Sequence, residues 1–399
     1  MATDPLAHLA LQLEQLDMEG SRRRPAEPSQ GGELSFCSND YLGLGSRPAP
    51  PAPSGAGASR LIAGERAEHR RLERAFATWL GVEDALAFTS GYAANVGTLS
   101  ALAGAGDLIV SDALNHASLI DGARLSRARV LVVPHGDLGA ITRALGERSE
   151  PRAWVVVESY FSMDADGPDL GALRGICDVH GAALYVDEAH ALGVLGPDGR
   201  GRCAEAGIVP DVLVGTLGKS FGSQGAFAAG RVVLREWLWN RARSFVFSTG
   251  LAPVCAAAAL RSLQHLREQP ELAEGVRARS ARLRAGLVAA GAESAEAASG
   301  ATVTASQGAR EGGAPRPRLL GFGHIVPLVL GSPARALWWG ERLRAQGVQV
   351  LAIRPPTVPP GSARIRLTVT ALHTDQDVDR TVEAFADVLR NEPSPESSP

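Results

Sequence analysis

From about residue 60 the chain alternates between two textures. Short β-branched or apolar runs (Leu108–Val110, Val130–Val133, Trp154–Val157, Leu184–Val186, Val212–Val214, Ala226–Ala229) are separated by longer Ala/Leu/Arg segments of helical character. Strands alternating with helices predict right-handed crossovers and a largely parallel sheet. Upstream, leucines at 6, 9, 11, 13 and 16 among polar residues predict a short amphipathic helix over 5–20. Arg22-Arg-Arg-Pro25, a Pro/Gly-rich stretch to Gly32 and a proline cluster at 48–53 interrupt it. Downstream, a helical stretch at about 256–290 runs into the Ala/Gly/Ser-rich segment 289–317, read as a surface insertion. The runs 325–330, 334–346, 348–353, 365–369 and 374–389 then predict a smaller α+β domain. Residues 391–399 are rich in Pro, Ser and Glu and are expected to be disordered. The division expected is an N-terminal helix and arm (1–50), a large α/β domain (51–275), an α+β domain (276–390) and a tail (391–399).

Composition narrows the function by exclusion. A formal charge of −3, with no basic cluster interleaved with aromatics, disfavours nucleic acid as a partner. Cys37, Cys177, Cys203 and Cys255 form no CxxC pair, so neither a zinc site nor a disulfide framework is signalled. No window approaches the ~18 apolar residues of a membrane span, and the N-terminus lacks an export pattern. A cytoplasmic protein, not a membrane one, is expected.

The basic residues are lopsided: 39 arginines and a single lysine, Lys219. Arginine serves solubility and ion pairing as well as lysine does, but its guanidinium stays protonated and cannot condense with a carbonyl. Lys219 is therefore a candidate for chemistry, although drift toward arginine would explain the other 39 positions equally well. Its context, Gly215-Thr-Leu-Gly-Lys-Ser220, invites a phosphate-loop reading. The spacing fails, because the glycine needed five residues before Gly-Lys-Ser is Leu213 here.

Tyr185-Val-Asp-Glu-Ala-His190 is an apolar strand ending in carboxylates and a histidine, placed where parallel sheets bind ligands. Alone, it could equally be a helix cap and a structural histidine. With Lys219 at a later strand end, Asp187 supplies what a pyridoxal 5'-phosphate site needs: a carboxylate for the pyridine nitrogen and an amine for the aldehyde. Phe88-Thr-Ser-Gly-Tyr-Ala-Ala-Asn95 opens a helix whose N-terminus suits a phosphate, and His116 in Asn115-His-Ala-Ser118 could stack on the ring.

Several runs together resemble the α-oxoamine synthases, a family of fold type I pyridoxal phosphate transferases. They are Ser38-Asn-Asp-Tyr-Leu-Gly-Leu44, Gly57-Ala-Ser-Arg-Leu-Ile-Ala-Gly64, Asn115-His-Ala-Ser-Leu119, Glu158-Ser-Tyr-Phe-Ser-Met-Asp-Ala-Asp166, Val186-Asp-Glu-Ala-His190, Thr216-Leu-Gly-Lys-Ser-Phe-Gly222 and Phe247-Ser-Thr249. The resemblance implies a large domain built on a mainly parallel seven-stranded sheet flanked by helices, a smaller α+β C-terminal domain, and a homodimer with shared active sites. It implies that Lys219 binds the cofactor aldehyde and later removes a substrate Cα proton. Asp187 would pair with the pyridine nitrogen, His190 and Ser162 would address the ring hydroxyl, and His116 would stack on the ring. Ser90, Gly91, Tyr92 and Thr216 would hold the phosphate, with Ser248 and Thr249 reaching across from the partner subunit. Arg366 would clamp the substrate carboxylate, with Asn39, Thr357 and one of Arg22, Arg23 or Arg24 lining the substrate site. Arg354-Pro-Pro-Thr-Val-Pro359 followed by Ala363-Arg-Ile-Arg-Leu367 looks most like the biotin-pathway branch. That branch condenses L-alanine with a pimeloyl thioester carried by CoA or an acyl carrier protein. The alternatives are another acyl donor with glycine or serine, or a non-catalytic subunit that keeps the fold.

Overall fold

The computed structural model describes residues 4–18, 22, 34–294 and 315–393. Most of the low-complexity segment (295–314), the end of the tail (394–399), and Arg23 and Arg24 lie outside them.

The large domain is built on a seven-stranded sheet in the order Asp84–Phe88, Ala226–Gly230, Val212–Thr216, Ala183–Asp187, Arg152–Glu158, Asp107–Asp112, Arg129–Val133. Ala226–Gly230 runs antiparallel to both of its neighbours, and the remaining pairings are parallel. All six apolar runs lie within strands of this sheet. The seventh strand, Asp84-Ala-Leu-Ala-Phe88, was not anticipated because its composition is helix-like. It is held by pairing with Ala226–Gly230 and by burial of Ala85 to Phe88, so tertiary context overrides propensity.

The smaller domain has a five-stranded sheet in the order Leu351–Ile353, Ala363–Thr368, Ile325–Gly331, Arg318–Leu319, Glu293–Ser294. Helix Pro333–Ala345 packs on it, and helix Asp375–Arg390 packs against that helix and Glu271–Ala289; both lie close to their expected bounds. The predicted strand 348–353 is two pieces. Val348–Gln349 pairs with Leu34–Ser35 of the N-terminal arm, which brings Phe36 into this core and stacks it on His373 with ring centroids 4.1 Å apart. The division expected at 275/276 falls inside the helix Glu271–Ala289. That helix buries Ala273 and Val276 in the large-domain core, and Leu283 and Leu287 in the small one. The amphipathic pattern near the N-terminus becomes the helix Ala7–Met18, none of whose residues is buried in this chain. Among the described residues, no helix is long and apolar enough to cross a membrane.

The loop after strand Arg152–Glu158 meets both domains. His135 ties it down: Nδ1 lies 2.8 Å from Asp112 and Nε2 3.2 Å from Asp166, with the ring edge-on to Phe161. Burial opposes a charge on this imidazole, but the two carboxylates outweigh it and push its pKa up to about 10. A histidine raised in the fold contributes stability that is complete below the unfolded value near 6.5 and is lost as pH climbs through the folded value. His135→Gln should therefore lower stability by about 3 kcal/mol at pH 6. Urea unfolding should show the gap between variant and parent narrowing from pH 7 to pH 10; a pH-independent gap would contradict the charged clamp.

Candidate active site

The site forms at the carboxyl ends of the central strands. Glu158 and Asp187 end adjacent parallel strands in direct register, so two carboxyl groups stand side by side, both buried. Asn95 Nδ2 donates to Asp187 Oδ2 at 2.7 Å, and the Ala189 N–H donates to Oδ1 at 2.8 Å. Asn95 is itself oriented by Tyr185, whose hydroxyl donates to its Oδ1 at 2.8 Å. Glu158 Oε1 accepts from the His116 N–H at 2.7 Å. Desolvation, and then the adjacent Asp187, push the Glu158 pKa up to about 8, so this carboxyl is largely protonated at neutral pH.

Lys219 sits half-buried in the turn after strand Val212–Thr216. Desolvation lowers its pKa, Asp187 and Glu158 oppose that, and Arg366 adds to it. The turn is fixed from several sides. The Gly222 N–H donates to the Lys219 carbonyl at 2.9 Å, and Ser220 Oγ donates to the Leu192 carbonyl at 2.6 Å. Gly222 has φ +53°, and a Cβ there would fall 2.3 Å from the Gly45 backbone nitrogen. The lysine turn is thus packed backbone to backbone against the turn at residues 38–45, which Asp40 closes by accepting the Leu44 and Gly45 N–H groups.

That second turn explains why Ser38-Asn-Asp-Tyr-Leu-Gly-Leu44 belongs to the site. Asn39 Oδ1 accepts from Arg366 Nη2 at 3.2 Å, and Arg366 Nε donates to the Ser162 carbonyl at 2.8 Å. Asn39, Ser162 and Arg366, expected separately, meet here. The Ser162 contact to Arg366 is made by its backbone carbonyl. Arg366 is buried, its Nε and Nη2 spent on these two acceptors, and its guanidinium also lies against the Tyr41 hydroxyl.

The turn expected to hold the phosphate opens a helix. Ser90 caps the helix Gly91–Leu102, its hydroxyl accepting from the Ala93 N–H at 3.1 Å. The N–H groups of Gly91 and Tyr92 stay unbonded among the described residues, at a helix start that favours an anion. Thr216 lies 3.9 Å from where a Gly91 Cβ would stand. The Tyr92 hydroxyl donates to Asp121. Ser248 and Thr249 line a small cleft with Phe88 and Thr89, next to this turn. His116 caps the helix Ala117–Ser126, and its Nδ1, 2.8 Å from Ser118 Oγ, fixes an otherwise exposed ring. His190 lies among Lys219, Arg366, His324 and His116; burial and these neighbours drive its pKa well down, so the ring is neutral. Arg22 pairs with Asp17 of the N-terminal helix. Thr357 is exposed in the loop before strand Ala363–Thr368, its N–H donating to the Arg354 carbonyl.

Sequence reasoning did not single out Asn95, Glu158 or Tyr41 as site residues. The signal for Glu158 was present: Trp154-Val-Val-Val-Glu158 and Leu184-Tyr-Val-Asp187 are both apolar runs ending in a carboxylate.

This donor set fits pyridoxal phosphate: an anchored carboxylate, an amine with a lowered pKa, an imidazole with an open face and a helix start with free N–H groups. The chain belongs to the aminotransferase class I and II family, which matches residues 32–385. It is 42% identical to the 8-amino-7-oxononanoate synthase of Anaeromyxobacter dehalogenans, over 98% of each chain. Among solved structures it is similar to Sphingomonas wittichii serine palmitoyltransferase, with a TM-score of 0.84, 28% identity and coverage of 97% of this chain and 98% of that one. A serine palmitoyltransferase solved with its pyridoxal phosphate in place gives a TM-score of 0.83 and 26% identity over 97% and 98%.

Glu158→Gln isolates the buried acid, because the amide oxygen can still accept from His116. A carboxyl raised from 4.5 to about 8 costs stability progressively as pH rises between those values. The unfolding midpoint of the cofactor-free variant should therefore exceed the parent's at pH 8.5 and match it near pH 4.5. A constant difference would contradict the raised pKa.

Proposed function

We propose that the chain is a pyridoxal phosphate-dependent acyltransferase that condenses L-alanine with a pimeloyl thioester, releasing CO2, free thiol and 8-amino-7-oxononanoate, in biotin biosynthesis. The observation that carries this reading is the convergence of Lys219, Asp187, His190, His116 and Arg366 at one strand-end cluster. It is supported by the near full-length likeness to 8-amino-7-oxononanoate synthases.

When bound, the cofactor supplies an electron sink that stabilises negative charge at the amino-acid Cα. The residues do the rest. Asp187, held by Asn95 and the Ala189 N–H, presents its carboxylate to the pyridinium nitrogen. The Gly91 and Tyr92 N–H groups and Thr216 take the phosphate, with Ser248 and Thr249 completing that site from the partner subunit of a homodimer. His116 lies against one face of the ring, and His190 addresses its hydroxyl. Arg366 would clamp the alanine carboxylate, orienting Cα toward Lys219. Asn39, Thr357 and one of Arg22, Arg23 or Arg24 would line the substrate site. Lys219 is suited to take the Cα proton because burial lowers its pKa and biases the amine toward its neutral form. Cα would then bond to the thioester carbonyl as the thiolate leaves and takes up a proton, CO2 would be lost, and Cα would be reprotonated. The acyl carrier is CoA or an acyl carrier protein. The free cysteines among the described residues accord with a cytoplasmic protein.

Lys219→Ala should lose the visible absorbance of lysine-bound cofactor and reduce turnover by at least 10³-fold, on the scale of removing a catalytic nucleophile or base. In the parent, alanine should perturb that absorbance, and pimeloyl-CoA should then release free thiol. A spectral response to glycine or serine and none to alanine would defeat the substrate assignment and leave the family intact.

A further inference from the structure

Tyr41 is a buried residue of the site to which the mechanism above gives no task. It lies on the turn at residues 38–45, fully enclosed, with its hydroxyl 2.6 Å from His190 Nδ1. The Arg366 guanidinium lies against the same hydroxyl. Asn39 Oδ1 is a third neighbour at 3.4 Å. The edge of the His324 ring packs against the tyrosine, with centroids 4.2 Å apart. One phenol therefore touches both the imidazole proposed to meet the cofactor ring and the guanidinium proposed to hold the substrate carboxylate.

The direction of these bonds follows from counting protons. Arginine only donates, so the Arg366 contact uses a lone pair on the phenol oxygen. The single phenol proton can go to His190 at 2.6 Å or to Asn39 at 3.4 Å. If His190 Nδ1 carried a proton, the short contact would use it, and the phenol proton would be left with the long contact to an Asn39 oxygen that already accepts from Arg366. If Nδ1 is bare, the phenol proton fills the short contact and every donor is matched. The cationic neighbour also polarises the hydroxyl in that sense. Burial raises the phenol pKa to about 12, so the proton is present across the working range.

We infer that Tyr41 is a positioning residue that fixes His190 as the Nε2–H tautomer and joins it to Arg366, so that carboxylate clamp and ring contact are one hydrogen-bonded unit. His190 Nε2 has no partner among the described residues and is left as a donor for the ligand. Its use on the ring hydroxyl rests on the proposed function; the tautomer itself does not.

The test is nitrogen-15 spectroscopy of the deuterated holoenzyme carrying labelled histidine, with His190→Asn assigning the resonance and Tyr41→Phe removing only the hydroxyl. Parent His190 should show the Nε2–H pattern, and Tyr41→Phe should give a mixture of tautomers. Tyr41→Phe should also raise the KM for alanine roughly two- to tenfold, the worth of one hydrogen bond. An Nδ1–H pattern in the parent, or an unchanged pattern in Tyr41→Phe, would overturn the assignment. The parent spectrum decides this even if the variant folds poorly. If His190→Asn leaves the visible cofactor band unmoved while the parent shows Nε2–H, the ring-hydroxyl reading fails and the tautomer assignment stands.

Discussion

Two carboxyl groups in register at the ends of neighbouring strands set the terms for this molecule. Glu158 and Asp187 stand where water is scarce, and like charges so placed repel far more strongly than they would in solvent. The fold answers with a division of labour. Glu158 holds its proton, while Asp187 takes an amide from Asn95 and a backbone N–H from Ala189. Lys219 gains from both acids and loses from burial, and the loss is larger. An amine with a lowered pKa and an anchored carboxylate are thus two consequences of one arrangement, and removing either acid would disturb the other groups.

Much of this was legible in the chain. The period of apolar runs carried the parallel sheet, and the lone lysine in a background of arginine marked its own position. Asp187 and His190 were readable because an apolar strand ends in them. Tyr41 and Asn95 were not, because their meaning lies in pairings across 149 and 92 residues that no local pattern encodes. The strand Asp84–Phe88 escaped for a related reason: its alanines become strand residues only by pairing with Ala226–Gly230. The Ser162 carbonyl's bond to Arg366 was not readable either, since composition does not say which backbone groups a distant arginine will reach.

Arginine abundance takes on a second meaning in the structure. Arg284 has no carboxylate partner among the described residues; it donates to the carbonyls of Leu320, Gly321, Phe322, Gly323 and Ile325. A planar fork with five N–H groups can gather a loop in this way, and an ammonium cannot. The loop so gathered also receives the Tyr160 hydroxyl from the large domain, at the Phe322 carbonyl. Replacement of lysine by arginine at such a position is a structural device, whatever mutational drift supplied it.

The same device joins the two halves of the site. Arg364 and Arg366 alternate along one strand of the small sheet, so their side chains leave the same face. Arg364 donates to the Met163 carbonyl and to Asp164, and Arg366 donates to the Ser162 carbonyl. The loop they grip is the one His135 fastens to Asp112 and Asp166 from the other side. Lys219 and Asp187 belong to the large domain and Arg366 to the small one, so the distance between the amine and the guanidinium depends on how firmly the sheets are joined. A loop held by Arg364 and Arg366 above and His135 below makes that distance a property of folding, set before any substrate arrives.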